Sequence, residues 1–117
     1  MAKVAITVNG SEPGNVFPSF ILGSSAVASG DELVIFFTPG GAPAMVKGAI
    51  EKMEGKGLPN LLELFNGVKE LGGKIYVCEL ALEAKDLKKE DFREGIEIIG
   101  ATTFINEIKD ATITFSF

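Results

Sequence analysis

The apolar positions of this chain switch repeatedly between a period of two and a period near 3.6, and each switch marks an element. Ala2 to Val8 is a short β-branched run ended by Asn9-Gly10, the pattern of a first strand. Ser11 to Asn15 reads as a loop. Phe17, Phe20, Ile21, Ser24 and Ala28 then recur at helical spacing, with Pro18 placed in the first turn and Gly30 as the closing residue. Leu33 to Phe37 is continuously apolar, as expected of a strand covered on both faces. Thr38 to Pro43 is rich in backbone breakers, and Ala44 to Met53 predicts a modest helix with Met45, Ala49 and Met53 on one side. Asn60 stands where an N-cap is needed for the stripe Leu61, Leu64, Phe65, Val68 and Leu71, which Gly72-Gly73 stops.

Lys74 to Cys78 predicts the third strand. Leu80, Ala81, Ala84 and Leu87 suggest a short helix, and Lys88 to Glu94 a solvated charged turn. Ile96 to Ile99 is a short strand ending at Gly100. Thr102 or Thr103 is expected to cap a helix carrying Phe104, Ile105 and Ile108. The last seven residues alternate, with Ala111, Ile113, Phe115 and Phe117 on one side and Thr112, Thr114 and Ser116 on the other, the pattern of a half-exposed strand. Strand and helix thus alternate along a single domain over 1–117. The fold class is α/β: a mostly parallel five-stranded sheet with helices on both faces, a three-layer arrangement of flavodoxin-like kind. Loops at the carboxyl ends of such strands share one edge, where a site is built.

Composition narrows the functions. With 117 residues the chain suits one core. The formal net charge of −5 disfavours a nucleic-acid partner, since phosphates would be repelled. No apolar run reaches the ~18 residues of a membrane span, and no charged-then-apolar leader is visible. A single cysteine, Cys78, forms no internal disulfide, and a reducing, cytoplasmic location is expected. No metal or cofactor is called for. Histidine is absent, which removes the Ser-His and Cys-His nucleophile pairs from one subunit and leaves few ligands for zinc.

Cys78 is therefore the leading catalytic candidate, at the end of a strand and before a predicted helix whose positive end favours a thiolate, while the adjacent Glu79 opposes it. Burial as a core cysteine is the competing reading. The strand-end loops supply candidate ligand-binding residues: Asn9 and Gly10, Thr38, Gly40 and Gly41, and Gly100, Thr102 and Thr103. The backbone N–H groups and hydroxyls of these loops could meet an anion. Neither GxGxxG nor GxxxxGK[ST] spacing is present, and turn formation or helix capping accounts for the same residues.

The segments Gly72 to Cys78, Leu87 to Phe92, Gly95-Ile96-Glu97, Gly100 to Phe104 and Ala111 to Phe115 together resemble the DsrE/DsrF-like sulfur-relay family, in its DsrE-like branch often labelled peroxiredoxin-like. Lys3 to Ile6 and Leu33 to Thr38 are similar to that family's first two strands. The resemblance implies a homo-oligomer, trimer or hexamer, or assembly with DsrE-like sister subunits. It further implies that Cys78 holds sulfur as a persulfide or thiosulfonate and passes it to a small acceptor of the TusA type. The segment before the Leu61 helix is shorter than in many relatives, and with no second cysteine a resolving disulfide cannot form within the chain. The alternative reading is a non-catalytic oligomeric module, either a scaffold or a binder of a nucleotide or flavin-like ligand.

Overall fold

A computed structural model describes all 117 residues. Five strands form one sheet: β1 (Lys3–Val8), β2 (Glu32–Phe37), β3 (Lys74–Cys78), β4 (Glu97–Ile99) and β5 (Ile113–Ser116). All pairings are parallel, in the order β4-β3-β2-β1-β5. Four helices connect them: α1 (Pro13–Ala28), α2 (Leu61–Glu70), α3 (Ala81–Ala84) and α4 (Ala101–Glu107).

Handedness assigns each helix to a face. From β1 through β4 the chain steps across the sheet in one direction, so right-handed crossovers put α1, α2 and α3 on the same side. The step from β4 back to β5 runs the other way over the whole sheet, which sends α4 to the opposite side. The packing agrees. Val4, Ile6, Val8, Leu33, Ile35, Phe37, Ile75 and Val77 turn to the first face and join α1 and α2 in a cluster of 22 buried residues, with Ala81 of α3 among them. Val34, Phe36, Tyr76 and Cys78 turn to the second face and meet Phe104 of α4 in a cluster of five. Helices thus lie on both faces, three against one.

Local chemistry explains the element ends. After α1 the N–H of Gly30 donates to the carbonyl of Val27 and that of Asp31 to Ala26. After α2, Gly72 donates to Lys69 and Gly73 to Val68 in the same pattern. Both are Schellman closures, and Gly30 and Gly72 have φ of +85° and +88°, which a side chain would resist. Asn60 caps α2 as expected, its Oδ1 accepting the N–H of Glu63 at 3.1 Å. Gly23 brings α1 close to the sheet, where an added Cβ would lie 3.1 Å from Leu33 and 3.2 Å from Ile35.

Three boundaries differ from expectation. α1 begins at Pro13, so most of the predicted Ser11–Asn15 loop is helical and Pro18 falls in the second turn. Pro18 cannot donate to the carbonyl of Gly14, but Gly14 is exposed and water can take that bond. No helix forms over Ala44 to Met53. Two short 3-10 turns (Ala42–Met45 and Ile50–Lys52) flank Gly48, whose φ of +83° breaks the helical path. This segment is tied down by Arg93, which pairs with both carboxylate oxygens of Glu51 at 3.0 and 2.7 Å and lies over the Phe65 ring. Finally, α4 starts at Ala101 with Gly100 as its N-cap, which places Thr102 and Thr103 inside the first turn rather than capping it.

Candidate functional site

The sheet register brings three of the sequence candidates into one row. Val8 pairs with Phe37 and Phe37 with Val77, so the next step sets Asn9, Thr38 and Cys78 side by side at the carboxyl edge. Cys78 in turn pairs with Ile99. Side chains in one row share a face, and this row belongs to the second. Thr38 Oγ1 donates to Asn9 Oδ1 at 3.1 Å and lies 3.2 Å from the carbonyl of Val8, which fixes the two ends of the row nearest β1.

Cys78 also stands at a parting of the chain. The loop leaving β3 goes to the first face, where Ala81 of α3 is buried, whereas the loop leaving the adjacent β4 goes to the second face and enters α4. In α/β sheets generally, ligands bind where the connections of neighbouring strands diverge in this way. Glu79 and Gly100 meet closely here: a Cβ on Gly100 would lie 3.0 Å from Glu79 Oε1. The N–H of Glu79 donates to the carbonyl of Ile99 at 2.9 Å and extends the β3–β4 ladder by one step.

The thiol itself is covered. Cys78 is 3% exposed, among Val34, Phe36, Tyr76 and Phe104, with Ile99 and Ile108 at the margin. The ring of Phe104 stacks on Phe36 with centroids 4.3 Å apart and an 8° tilt. The other half of α4 is fixed by polar contacts. Tyr76 Oη donates to Glu107 Oε1 at 3.1 Å, Lys74 Nζ lies 3.6 Å from Glu107 Oε2, and Lys3 Nζ donates to the carbonyl of Glu107 and pairs with Asp110 at 3.0 Å. Burial, and then the bond to Glu107, push the Tyr76 hydroxyl up to about 12. The Lys3 bond holds Asp110 below the ordinary carboxylate range.

The remaining candidates fall into two groups. Gly40 and Gly41 belong to the β1–β2 end of the edge and have a packing role: a Cβ on Gly40 would lie 2.3 Å from the carbonyl oxygen of Asn9, and one on Gly41 2.2 Å from that of Val8. The N–H of Gly41 is already spent on the carbonyl of Thr38 at 2.8 Å. Gly10 accommodates the Asn15 side chain, which also accepts the N–H of Glu12. Gly100 adjoins Cys78, while Thr102 and Thr103 are exposed on the outer side of α4. The helix after Cys78 is a single turn of four residues, so its dipole offers little.

The sequence reading missed the cover over Cys78. Tyr76, Lys74 and Lys3 hold it in place through Glu107, and only the shared apolar spacing of Phe104 and Ile108 hinted at a helix resting on a sheet. A cavity of about 390 Å³ lies at the other, amino-terminal edge beside Lys3, Glu32 and Lys74, away from the thiol. An apolar hollow of about 330 Å³ lies between Phe17, Pro18, Ile21 and Leu58. No three His, Cys, Asp or Glu side chains are grouped to hold a metal ion, and no helix is long and apolar enough to cross a membrane.

Comparison with known proteins fits this geometry. A family model described as DsrE/DsrF/DrsH-like matches residues 39–115, which takes in β3, Cys78 and α4. The chain belongs to the DsrE/DsrF/DrsH-like family. Among its relatives, uncharacterized protein MJ0760 of Methanocaldococcus jannaschii is 29% identical over 109 residues, covering 91% of this chain and 40% of that protein. This chain therefore spans well under half the length of that relative. Sulfur carrier protein DsrE2 of Allochromatium vinosum is 26% identical over 87% of this chain and 89% of its own. Uncharacterized protein MK0008 of Methanopyrus kandleri is 30% identical, covering 74% of this chain and 69% of its own. The fold is that of the ychN protein from E. coli, with a TM-score of 0.82 and 19% identity over the full length of both chains. MTH1491 from Methanobacterium thermoautotrophicum, a protein of unknown function, superposes with a TM-score of 0.72 at 12% identity, covering 98% and 97% of the two chains.

Proposed function

We propose that this DsrE-like chain is a sulfur carrier that holds sulfane sulfur on Cys78. The observation that carries the reading is the position of Cys78 where the loops leaving β3 and β4 part to opposite faces. The family, and a relative named as a sulfur carrier, support the same chemistry. In the forward step the Cys78 thiolate attacks the outer sulfur of a persulfide or polysulfide donor. The donor S–S bond breaks, the donor leaves as a thiolate, and Cys78-S-SH remains. Discharge reverses the roles: an acceptor thiolate takes the outer sulfur and Cys78 leaves as thiolate, with no net oxidation. The acceptor on this reading is a small protein of the TusA type, and the working form is an oligomer of this chain or of DsrE-like subunits in the cytoplasm. Thr38, on the strand next to β3, would stand on the side of the outer sulfur, with Asn9 one strand further away. The loop N–H groups are less suited to an anion than their composition suggests, because Gly41 is internally bonded.

The burial of Cys78 favours a second reading, in which the thiol only fills space in a non-catalytic scaffold. Intact mass measurement after incubation with polysulfide separates the two. A gain of whole sulfur masses on the wild type, removed by dithiothreitol and absent in Cys78→Ala, is the carrier result. No gain with polysulfide, thiosulfate or tetrathionate leaves the scaffold.

A further inference from the structure

Cys78 is buried, yet sulfur transfer needs a collinear approach to its sulfur, so something over it must move. We propose that α4 is a hinged cover over Cys78, latched by Glu107, and that the thiol reacts when α4 lifts from the second face. This rests on the carrier reading of Cys78 for its purpose, though not for its geometry.

α4 has the makings of a movable element. It is seven residues long, too short to persist alone, and Phe104 is its one buried side chain. Ala101, Thr102, Thr103, Ile105 and Asn106 face solvent. Its amino end carries no side-chain cap, and Gly100 gives the backbone freedom there. Its position therefore depends on two attachments. One is apolar, the Phe104 ring on Phe36. The other is polar and converges on one residue: Glu107 takes Tyr76 on Oε1, Lys74 on Oε2 and Lys3 on its carbonyl. Tyr76 and Lys74 lie on β3, the strand that ends at Cys78, so the latch fastens the cover to the strand that carries the thiol. Behind the second face there is no further layer. Releasing α4 disturbs a cluster of five residues and leaves the 22-residue core intact, the condition for a local opening well below global unfolding. Glu107 on this account is a positioning residue, acting on the thiol through α4.

The experiment is alkylation of Cys78 by iodoacetamide over a range of urea concentrations below the unfolding transition, in wild type, Glu107→Gln and Glu107→Ala. Local opening predicts wild-type labelling slower than in unfolded chain and insensitive to low urea. Glu107→Ala is expected to label about tenfold faster, the loss of roughly one hydrogen bond to a charged group. Glu107→Gln, which still accepts from Tyr76, should recover much of the slow rate. Three results would each overturn the cover: labelling that tracks global unfolding at every urea concentration, a wild-type thiol as reactive as in unfolded chain, or equal rates in wild type and Glu107→Ala. The wild-type urea dependence decides the matter even if a variant fails to fold. Polysulfide uptake measured by mass is independent of these rates. Local opening without uptake defeats the carrier reading and leaves the cover, whereas uptake with only global opening defeats the cover and leaves the carrier.

Discussion

The two faces of the sheet are built from the same strands and protected very differently. On the first, Phe20 meets Phe37 at 6.1 Å and Phe65 at 5.9 Å within a large cluster sealed by α1 and α2, both closed by Schellman turns. On the second, a single helix of two turns rests on Val34, Phe36, Tyr76 and Cys78, and toward β5 no helix covers Thr7, Thr114 or Ser116, where Thr7 and Ser116 bond to each other at 2.7 Å. Crossover handedness produces this asymmetry, since only the β4-to-β5 connection is free to cross the second side. The lesson is that the two faces carry unequal shares of the core. One side holds the fold, and on the proposals above the other carries the chemistry and opens without losing that fold.

Substitution in the two aromatic clusters gives the largest contrast. Phe20→Ala removes a fully buried ring from the first face and is expected to cost about 4 kcal/mol, read from the urea midpoint with the slope unchanged. Phe104→Ala removes a ring of the same size from the second face but should cost only about 2 kcal/mol, because α4 can settle into the space it leaves. Its larger effect should be local, with amide exchange across Phe104 to Ile108 accelerating more than exchange in α1. Equal costs, or exchange that rises uniformly, would break the distinction between the faces.

Helix capping sharpens the comparison at lower energy. Asn60→Ala removes the one side-chain cap on α2 and should cost about 1 kcal/mol in urea unfolding. Its effect should leave Cys78 alkylation below the transition unchanged, since α2 belongs to the other face. The Arg93–Glu51 pair offers a test in acid. The Arg93 bond holds the Glu51 carboxyl below its usual 4.5, so the contribution of this pair is present above that value and lost as pH falls through the folded value. Glu51→Gln should accordingly flatten the acid limb of the stability curve by no more than about 1 kcal/mol, the pair being partly exposed.

Much of this was legible in the residues themselves. Asn60, Gly30 and Gly72 are local signals, read by neighbours a few positions away, and they stand where expected. All five strands follow from periodicity, and their parallel arrangement follows from the helices between them. The helix predicted over Ala44 to Met53 fails because apolar spacing was weighed without Gly48, whose left-handed backbone ends any helix there. Gly40 and Gly41 resembled an anion loop, yet the structure spends them on close approach to the carbonyls of Asn9 and Val8, a contact thirty residues distant in sequence. The cover over Cys78 was illegible for the same reason. Its partners lie near positions 3, 36, 76 and 107, and only strand register and crossover direction bring them together.

The remaining test probes the latch through pH. The Tyr76 hydroxyl is raised from 10.0 to about 12, first by burial and then by its bond to Glu107. A folded value above the unfolded one means the folded chain holds the proton more tightly. The contribution is therefore complete below about pH 10 and drains away as pH climbs toward 12. Lys3, also raised by its bond to Asp110, loses its contribution in an overlapping range, so the fall in wild-type stability is not Tyr76 alone. Tyr76→Phe isolates it, keeping the ring in the second-face cluster while deleting the ionisable hydroxyl. At neutral pH the variant should be weaker by about 1 kcal/mol, one hydrogen bond. With rising pH the gap should narrow, because the wild type gives up what the variant never had. A constant gap from pH 8 to the alkaline limit would show that the hydroxyl titrates alike in the folded and unfolded chain, whereas no gap at neutral pH would show that it does not hold α4 down, and Glu107 would then be anchored by its lysines alone.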